Sequence, residues 1–277
     1  MSPDDGPLLL DGPMGTALEA LGLSLPAPLW TAAGVIDRPD SVREVHAGYA
    51  AVGASVHTAA SFRTTARSLA GSAHAERWVE LTTRAVRLCR EGAGPGDRVA
   101  GCMAPLEDCY RPDLTPDDAS LAGEHGAMAR VLADAGADLL LVESMCSTRE
   151  LAAATRAAAA TGLPVWSCVT LGPKGRFFDR GQLLDVAAVA QDAGASAFGL
   201  NCTPPQLMTP LMDELACAAR RPPQLLAYGN AIFAGSEHLS PEDYLGHARR
   251  WRAAGTDIIG SCCGTTPAHL AALSALE

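Results

Sequence analysis

The sequence predicts an α/β fold, a single-domain (β/α)8 TIM barrel covering residues 1–277. Three observations predict it. Eight short apolar runs alternate with stretches of helical spacing, which implies right-handed crossovers and a parallel sheet. A helix end, a glycine and a new strand recur at Val52-Gly53-Ala54, Ala135-Gly136-Ala137, Ala193-Gly194-Ala195 and Ala254-Gly255-Thr256, where glycine suits the left-handed position after a helix. The polar and thiol residues gather where the apolar runs end, the place where barrels of this kind carry their chemistry. An open doubly wound sheet is the rival, but it more often has five or six strands. No Gly-x-Gly-x-x-Gly follows the first run.

Pro7-Leu8-Leu9-Leu10-Asp11-Gly12 reads as the first strand, followed by a short helix over Thr16–Leu21. Pro26 and Pro28 mark a loop that reaches Leu29-Trp30. From Asp37 to Ala51, Val42, Val45, His46 and Tyr49 share one helical face. Val56–Ser61 is the second strand, Ala75–Arg90 a long helix and Arg98–Ala104 the third strand. A loop through Glu107–Pro112 leads to a helix that Thr115 caps, with Pro116 at its first position and its end at Ala135. Ala137–Ser144 is an apolar run closed by an acid, the pattern of a strand buried on both faces. A helix over Thr148–Ala160, a fifth strand over Pro164–Thr170 and a polar loop over Gly172–Gly181 come next. A helix from Leu183 ends at Gly194, and the sixth strand ends at Asn201-Cys202. A helix over Gln206–Arg220 precedes Gln224–Asn230, the seventh strand. Ser240-Pro241 opens a helix to Ala254. The eighth strand, Thr256 onward, ends at Cys262-Cys263, and the last helix spans Pro267–Leu276.

The bulk numbers fit this reading. The chain has 277 residues, 48% of them hydrophobic and only 5% aromatic, so alanine and leucine fill the core, as suits helices on a sheet. A net charge of −10 and a single lysine, Lys174, exclude the basic stripe of a nucleic-acid surface. Met1–Gly6 carries no basic segment and no run is long enough to span a membrane, so a cytoplasmic protein is expected. The cysteines number nine, odd and in a chain too long to need a disulfide framework. In a reducing compartment they are buried hydrophobes, metal ligands or nucleophiles.

Cys202, Cys262 and Cys263 end the sixth and eighth strands, and those ends can converge across the seventh. Three thiols with a fourth position open form the pattern of a reactive zinc site, whereas structural sites are closed by four ligands. Adjacent cysteines face opposite ways in a regular strand, so they serve one metal only if the chain turns, which Gly264 permits. Spacing alone leaves metal ligation and simple packing both open. Cys102, Cys109 and Cys146 read as packing thiols, and Cys89, Cys168 and Cys217 as structural. The seven histidines show no H-x-x-x-H spacing and receive no catalytic role.

Asp11-Gly12-Pro13-Met14-Gly15-Thr16, Gly199-Leu200-Asn201-Cys202 and Gly260-Ser261-Cys262-Cys263-Gly264-Thr265-Thr266-Pro267 resemble the three signature segments of the homocysteine S-methyltransferase family. Leu29-Trp30, Val45-His46-Ala47-Gly48-Tyr49 and Gly53-Ala54-Ser55-Val56 add to the likeness, which runs along essentially the whole chain. The resemblance implies a zinc-dependent (β/α)8 barrel that methylates the sulfur of homocysteine to give methionine. It implies Cys202, Cys262 and Cys263 as zinc ligands. Asp11 and Glu143 would hold the substrate amino group, and backbone N–H groups from Gly12 to Gly15, Met14 among them, would meet its carboxylate. Helix capping is the competing role for the two acids. Trp30 and Phe62 would face a cationic methyl donor or simply pack over the mouth. Asn201 and Asn230 would support loops by hydrogen bonding, as would Thr58, Ser61 and Thr170.

One segment departs from the family pattern. Ala104-Pro105-Leu106-Glu107-Asp108-Cys109-Tyr110-Arg111-Pro112 stands where many members carry Gly-Pro-Tyr-Gly, and this loop borders the donor side. A small sulfonium donor, S-methylmethionine or S-adenosylmethionine, is expected first and betaine next. The chain is too short to add a folate or cobalamin domain. Rival readings keep the barrel and zinc but methylate another thiol or selenol, or make the site a non-catalytic zinc or redox sensor with four protein ligands.

Overall fold

The computed structural model describes residues 6–172, 174–232 and 238–276. The expectation placed on Met1–Asp5 lies outside the described residues. Strands and helices alternate along the chain: β1 Leu8–Leu9, α1 Met14–Ala20, α2 Thr31–Asp37, α3 Pro39–Ala50, β2 Val56–Thr58, α4 Ala66–Leu69 and α5 Trp78–Gly92. Then follow β3 Arg98–Met103, α6 Asp118–Asp134, β4 Leu139–Met145, α7 Thr148–Ala159, β5 Val165–Val169 and α8 Arg180–Asp192. The chain ends with β6 Ala197–Asn201, α9 Pro205–Cys217, β7 Gln224–Gly229, α10 Pro241–Ala253, β8 Ile258–Ser261 and α11 Pro267–Leu273.

All eight strands are parallel, in the order β1-β8-β7-β6-β5-β4-β3-β2. A parallel bridge between Leu10 and Val56 joins the two edges, and Asp11 N–H donates to the Val56 carbonyl at 3.0 Å. The sheet thus closes on itself, and the predicted barrel is the one observed. Among the described residues no helix is long and apolar enough to cross a membrane.

The period-two alternation of strands sorts the core into two layers. Leu10, Val56, Ala100, Leu139, Leu141, Trp166, Cys168, Ala197, Leu226 and Ile258 form an inner cluster inside the barrel. Leu9, Val99, Leu140, Val142, Phe198, Leu200 and Leu225 belong to the larger cluster between strands and helices. The same alternation places the chemistry. Counting by twos from an inward residue leads to Thr58 on β2, Cys102 on β3, Glu143 on β4, Thr170 after β5, Asn201 on β6 and Cys262 after β8. Each inward column is apolar below and ends in a polar or thiol group at the mouth.

Local boundaries differ where a nearer signal wins. The cap of α6 is Asp117, whose carboxylate accepts the Ser120 N–H, not Thr115. Thr115 instead closes a short turn by donating to the Pro112 carbonyl at 2.9 Å. The loop expected through Leu29-Trp30 turns into α2, which has no side-chain cap. Thr266 caps α11 in a reciprocal pair with His269. Cys217, expected to be structural, is exposed at the end of α9.

Candidate active site

The mouth of the barrel holds a cavity of about 390 Å³ lined by Asp11, Gly12, Met14, Trp30, Phe62, Glu143, Cys202, Cys262 and Cys263, among others. That volume suits a small ligand pair. Every residue expected to bind metal, substrate or donor lies on this wall, while Asn201 and Asn230 stand behind it.

The three sulfurs of Cys202, Cys262 and Cys263 lie within 4.8 Å of one another, with Cys202 and Cys263 at 3.9 Å. Tetrahedral zinc with bonds of about 2.3 Å sets its sulfurs about 3.8 Å apart, so the donor set fits that ion by both chemistry and spacing. Two backbone devices bring the thiols together. Cys202 follows β6 in a left-handed conformation (φ 48°), while its N–H donates to the Tyr228 carbonyl at 3.1 Å. After β8 a tight turn runs from Cys262 to Thr265, whose N–H donates to the Cys262 carbonyl at 3.1 Å. Gly264 holds the third position of that turn with φ 80°, a conformation that favours glycine. This turn lets vicinal side chains share one centre.

The three thiols hydrogen-bond one another and differ in acidity. Hydrogen bonds from Cys262 and Cys263 hold the Cys202 thiol well below the ordinary range, with help from Tyr110 and Asn230 against burial. Cys262 and Cys263 are pushed up by their hydrogen bonds with Cys202 and its charge. Tyr110 was not singled out by sequence. Its hydroxyl sits 3.3 Å from Cys202 Sγ, brought there by the loop that departs from the family pattern. That departure was the only signal available.

Neither acid caps a helix: α1 starts behind Pro13 and α7 behind Ser147. Both are buried, Asp11 at 3% and Glu143 at 8% exposure. Asp11 Oδ2 accepts the Thr58 N–H at 2.9 Å. Glu143 accepts from the Cys102 thiol and the Tyr228 hydroxyl, each at 2.9 Å. Burial pushes its carboxyl up to about 7, although these two hydrogen bonds oppose the rise. A register shift in β4 between Val142 and Met145 and a left-handed Ser144 (φ 57°) re-aim the chain there, as bulges beside active sites do. Asn201 braces the irregularity: Oδ1 accepts the Ser144 N–H at 2.9 Å, and Nδ2 donates to Ser144 Oγ at 2.8 Å and to Glu143 Oε2 at 3.4 Å.

Trp30 and Phe62 meet edge to face with centroids 5.3 Å apart. Trp30 is itself strained, with φ 40°. Cys102 and Cys109, expected as packing thiols, both line the cavity; Cys102 ends the inward column of β3, and the loop after it carries Cys109. Cys146 remains outside it. Ser61 donates to the Cys102 carbonyl at 2.9 Å and Thr170 to that of Cys202 at 3.2 Å, the supporting roles expected of them. His46 and His57 also approach Asp11, which no local sequence spacing indicated.

Fold and site together define a barrel enzyme whose mouth presents a trio of thiols, two buried carboxylates and an aromatic pair to a small molecule. A model of the family described as homocysteine S-methyltransferase matches residues 8–276. The homocysteine S-methyltransferase of Escherichia coli (strain K12) is 33% identical, with 97% of this chain aligned to 94% of that protein. Homocysteine S-methyltransferase 1 of Zea mays is 28% identical over 97% and 94%. The crystal structure of the Escherichia coli homocysteine methyltransferase MmuM in its metallated form superposes with a TM-score of 0.82 at 29% identity, over 98% and 96% of the two chains. The chain belongs to the homocysteine S-methyltransferase family, and is an enzyme of that thiol-methylating class.

Proposed function

We propose that this chain moves a methyl group from a small sulfonium, S-methylmethionine or S-adenosylmethionine, to the sulfur of homocysteine. Zinc would be held by Cys202, Cys262 and Cys263. The observation that supports this most is the meeting of three thiols in one cavity with two buried acids. Held by these three thiolates, zinc would supply the positive charge that favours the thiolate form of an incoming thiol at neutral pH.

The chain's own residues then position the reactants. Asp11 and Glu143 take the substrate ammonium between them. Glu143, with its carboxyl pushed up to about 7, meets that cation as a carboxylate after its proton passes to solvent. Backbone N–H groups over Gly12–Gly15 face the substrate carboxylate. Trp30 and Phe62 offer ring faces to the positive sulfur of the donor, and a sulfonium is attracted to an indole face. The homocysteine sulfur attacks the methyl carbon as the bond from that carbon to the donor sulfur breaks. The donor leaves as a neutral thioether, and methionine forms. Alignment of the reacting atoms contributes several of the ~7–11 kcal/mol that positioning offers.

A donor screen with homocysteine, read by methionine formation, tests the reaction. Methionine is expected from a sulfonium donor, and none from any sulfonium would refute the proposal. Cys263→Ser should lose both zinc and activity; full retention of either would refute its assignment as a ligand.

A further inference from the structure

Behind Asp11 lies a second cluster that the reaction above leaves unused. His46 on α3 and His57 on β2 are both fully buried. His46 Nδ1 stands 3.7 Å from Asp11 Oδ2, and His57 Nε2 stands 3.0 Å from Asp97 Oδ2. The two rings meet edge to face with centroids 6.1 Å apart. Asp97 reaches the surface and is pinned by the Gly94 N–H at 2.7 Å. The four side chains form a file from the outside of the barrel to the cavity wall. Both nitrogens of His46 and Nδ1 of His57 find no hydrogen-bond partner among the described residues.

Unsatisfied buried polar atoms are costly, about 1–3 kcal/mol each, and an apolar side chain would fill either place more cheaply. Such a cost calls for an explanation in function. The alternation of β1 supplies one. Leu10 points into the barrel and Leu9 out of it, so Asp11 leaves the strand on the outward side, toward α3. Its carboxylate still lines the cavity, with Thr58 and His46 standing behind it. Thr58 N–H fixes Oδ2 from one side, and His46 Nδ1 approaches the same oxygen from α3.

We propose that His46 and His57 are positioning residues for Asp11, with Asp97 fixing the ring of His57, and that together they select thiol substrates bearing a primary ammonium. The proposal rests on the reading that Asp11 holds the substrate amine. His46 Nδ1, 3.7 Å from Asp11 Oδ2 and without a hydrogen-bond partner among the described residues, comes within donating distance when the ammonium draws the carboxylate into place, since such bonds are often long without ligand. His57 packs its ring edge to face with that of His46 and is held by Asp97.

The test compares homocysteine with 4-mercaptobutanoate, which keeps the thiol and carboxylate but lacks the amine. His46→Leu removes the donor, whereas His46→Gln keeps an N–H. A hydrogen bond to a charged group is worth ~1.5–3 kcal/mol. In His46→Leu the KM for homocysteine should therefore rise about 10- to 100-fold, with kcat at saturation nearly unchanged. The KM for 4-mercaptobutanoate should stay at the wild-type value, and His46→Gln should recover most of the loss. Asp97→Asn, at the accessible end, should shift the homocysteine KM in the same direction by less. Equal losses for the two thiols, or an unchanged homocysteine KM in His46→Leu, would overturn the inference. So would zinc retained at one ion per chain after Cys202, Cys262 and Cys263 are all changed to serine, because the two histidines would then be ligands with Asp11. Wild-type protein that fails to bind homocysteine in a thermal-shift titration would instead remove the substrate reading on which this rests.

Discussion

Glu143 shows what one buried carboxyl costs and gives. Its folded-state value of about 7 stands above the ordinary 4.5, so between those pH values the native chain keeps a proton that the unfolded chain releases. Stability from this group is fully present below about 4.5 and is lost as pH rises through 7, an effect of about 3 kcal/mol at most. Urea midpoints of zinc-free protein at pH 5 and 7.5 should fall in the wild type relative to Glu143→Gln; parallel behaviour would contradict the shift. Trp30 makes a separate prediction. Trp30→Ala should raise the KM of a sulfonium donor about 5- to 30-fold, the value of a cation over a desolvated indole, and leave the KM for homocysteine alone. At this scale the sequence was informative wherever a residue ends an inward column. It did not show that Tyr110, His46 and His57 meet the site, because their neighbours come from distant segments that no local spacing joins.

The loop over residues 104–112, whose sequence departs from the Gly-Pro-Tyr-Gly pattern, is firmly tied. Arg63 donates to the Pro105 and Glu107 carbonyls, each at 3.1 Å. Arg67 donates to Glu107 Oε1 at 2.7 Å and also pairs with Glu124. Glu150, buried on α7, accepts the Leu106 N–H at 2.8 Å and lies 3.2 Å from His125. These ties carry Cys109 and Tyr110 over the cavity. Arg67→Ala should loosen the loop and raise donor KM while zinc content stays at one ion per chain; a fall in bound zinc would show that the loop helps to build the metal site. Within β6, Gly199 has a different constraint. A Cβ there would stand 1.6 Å from the Leu226 carbonyl oxygen of β7, so Gly199→Ala should force the two strands apart and leave little folded protein by circular dichroism. Strand and helix order could be read from apolar runs and glycine junctions. The start of α2 could not, since the prolines before it signal a loop and no capping side chain marks its first turn. The cap of α6 moved from Thr115 to Asp117 because two acceptable N-cap residues stand two apart, and only packing chooses between them.

Across the whole molecule, one closed sheet gathers the thiols of residues 202 and 262–263, sixty positions apart in sequence and joined through β7. Ligand binding to the folded state alone stabilises it by about 2.7 kcal/mol when free ligand is a hundred times its Kd. In a barrel of this size that corresponds to a melting temperature about 5 °C higher. A chelator should therefore lower the melting temperature of the wild type and leave Cys262→Ser unchanged; an equal shift in both would place the metal elsewhere. The account depends on three cysteine sulfurs holding one zinc with a position open to the substrate. X-ray absorption at the zinc edge, before and after addition of homocysteine, measures this directly. We expect three sulfur neighbours at rest and four with substrate; four sulfurs at rest, or three that never change, would contradict it.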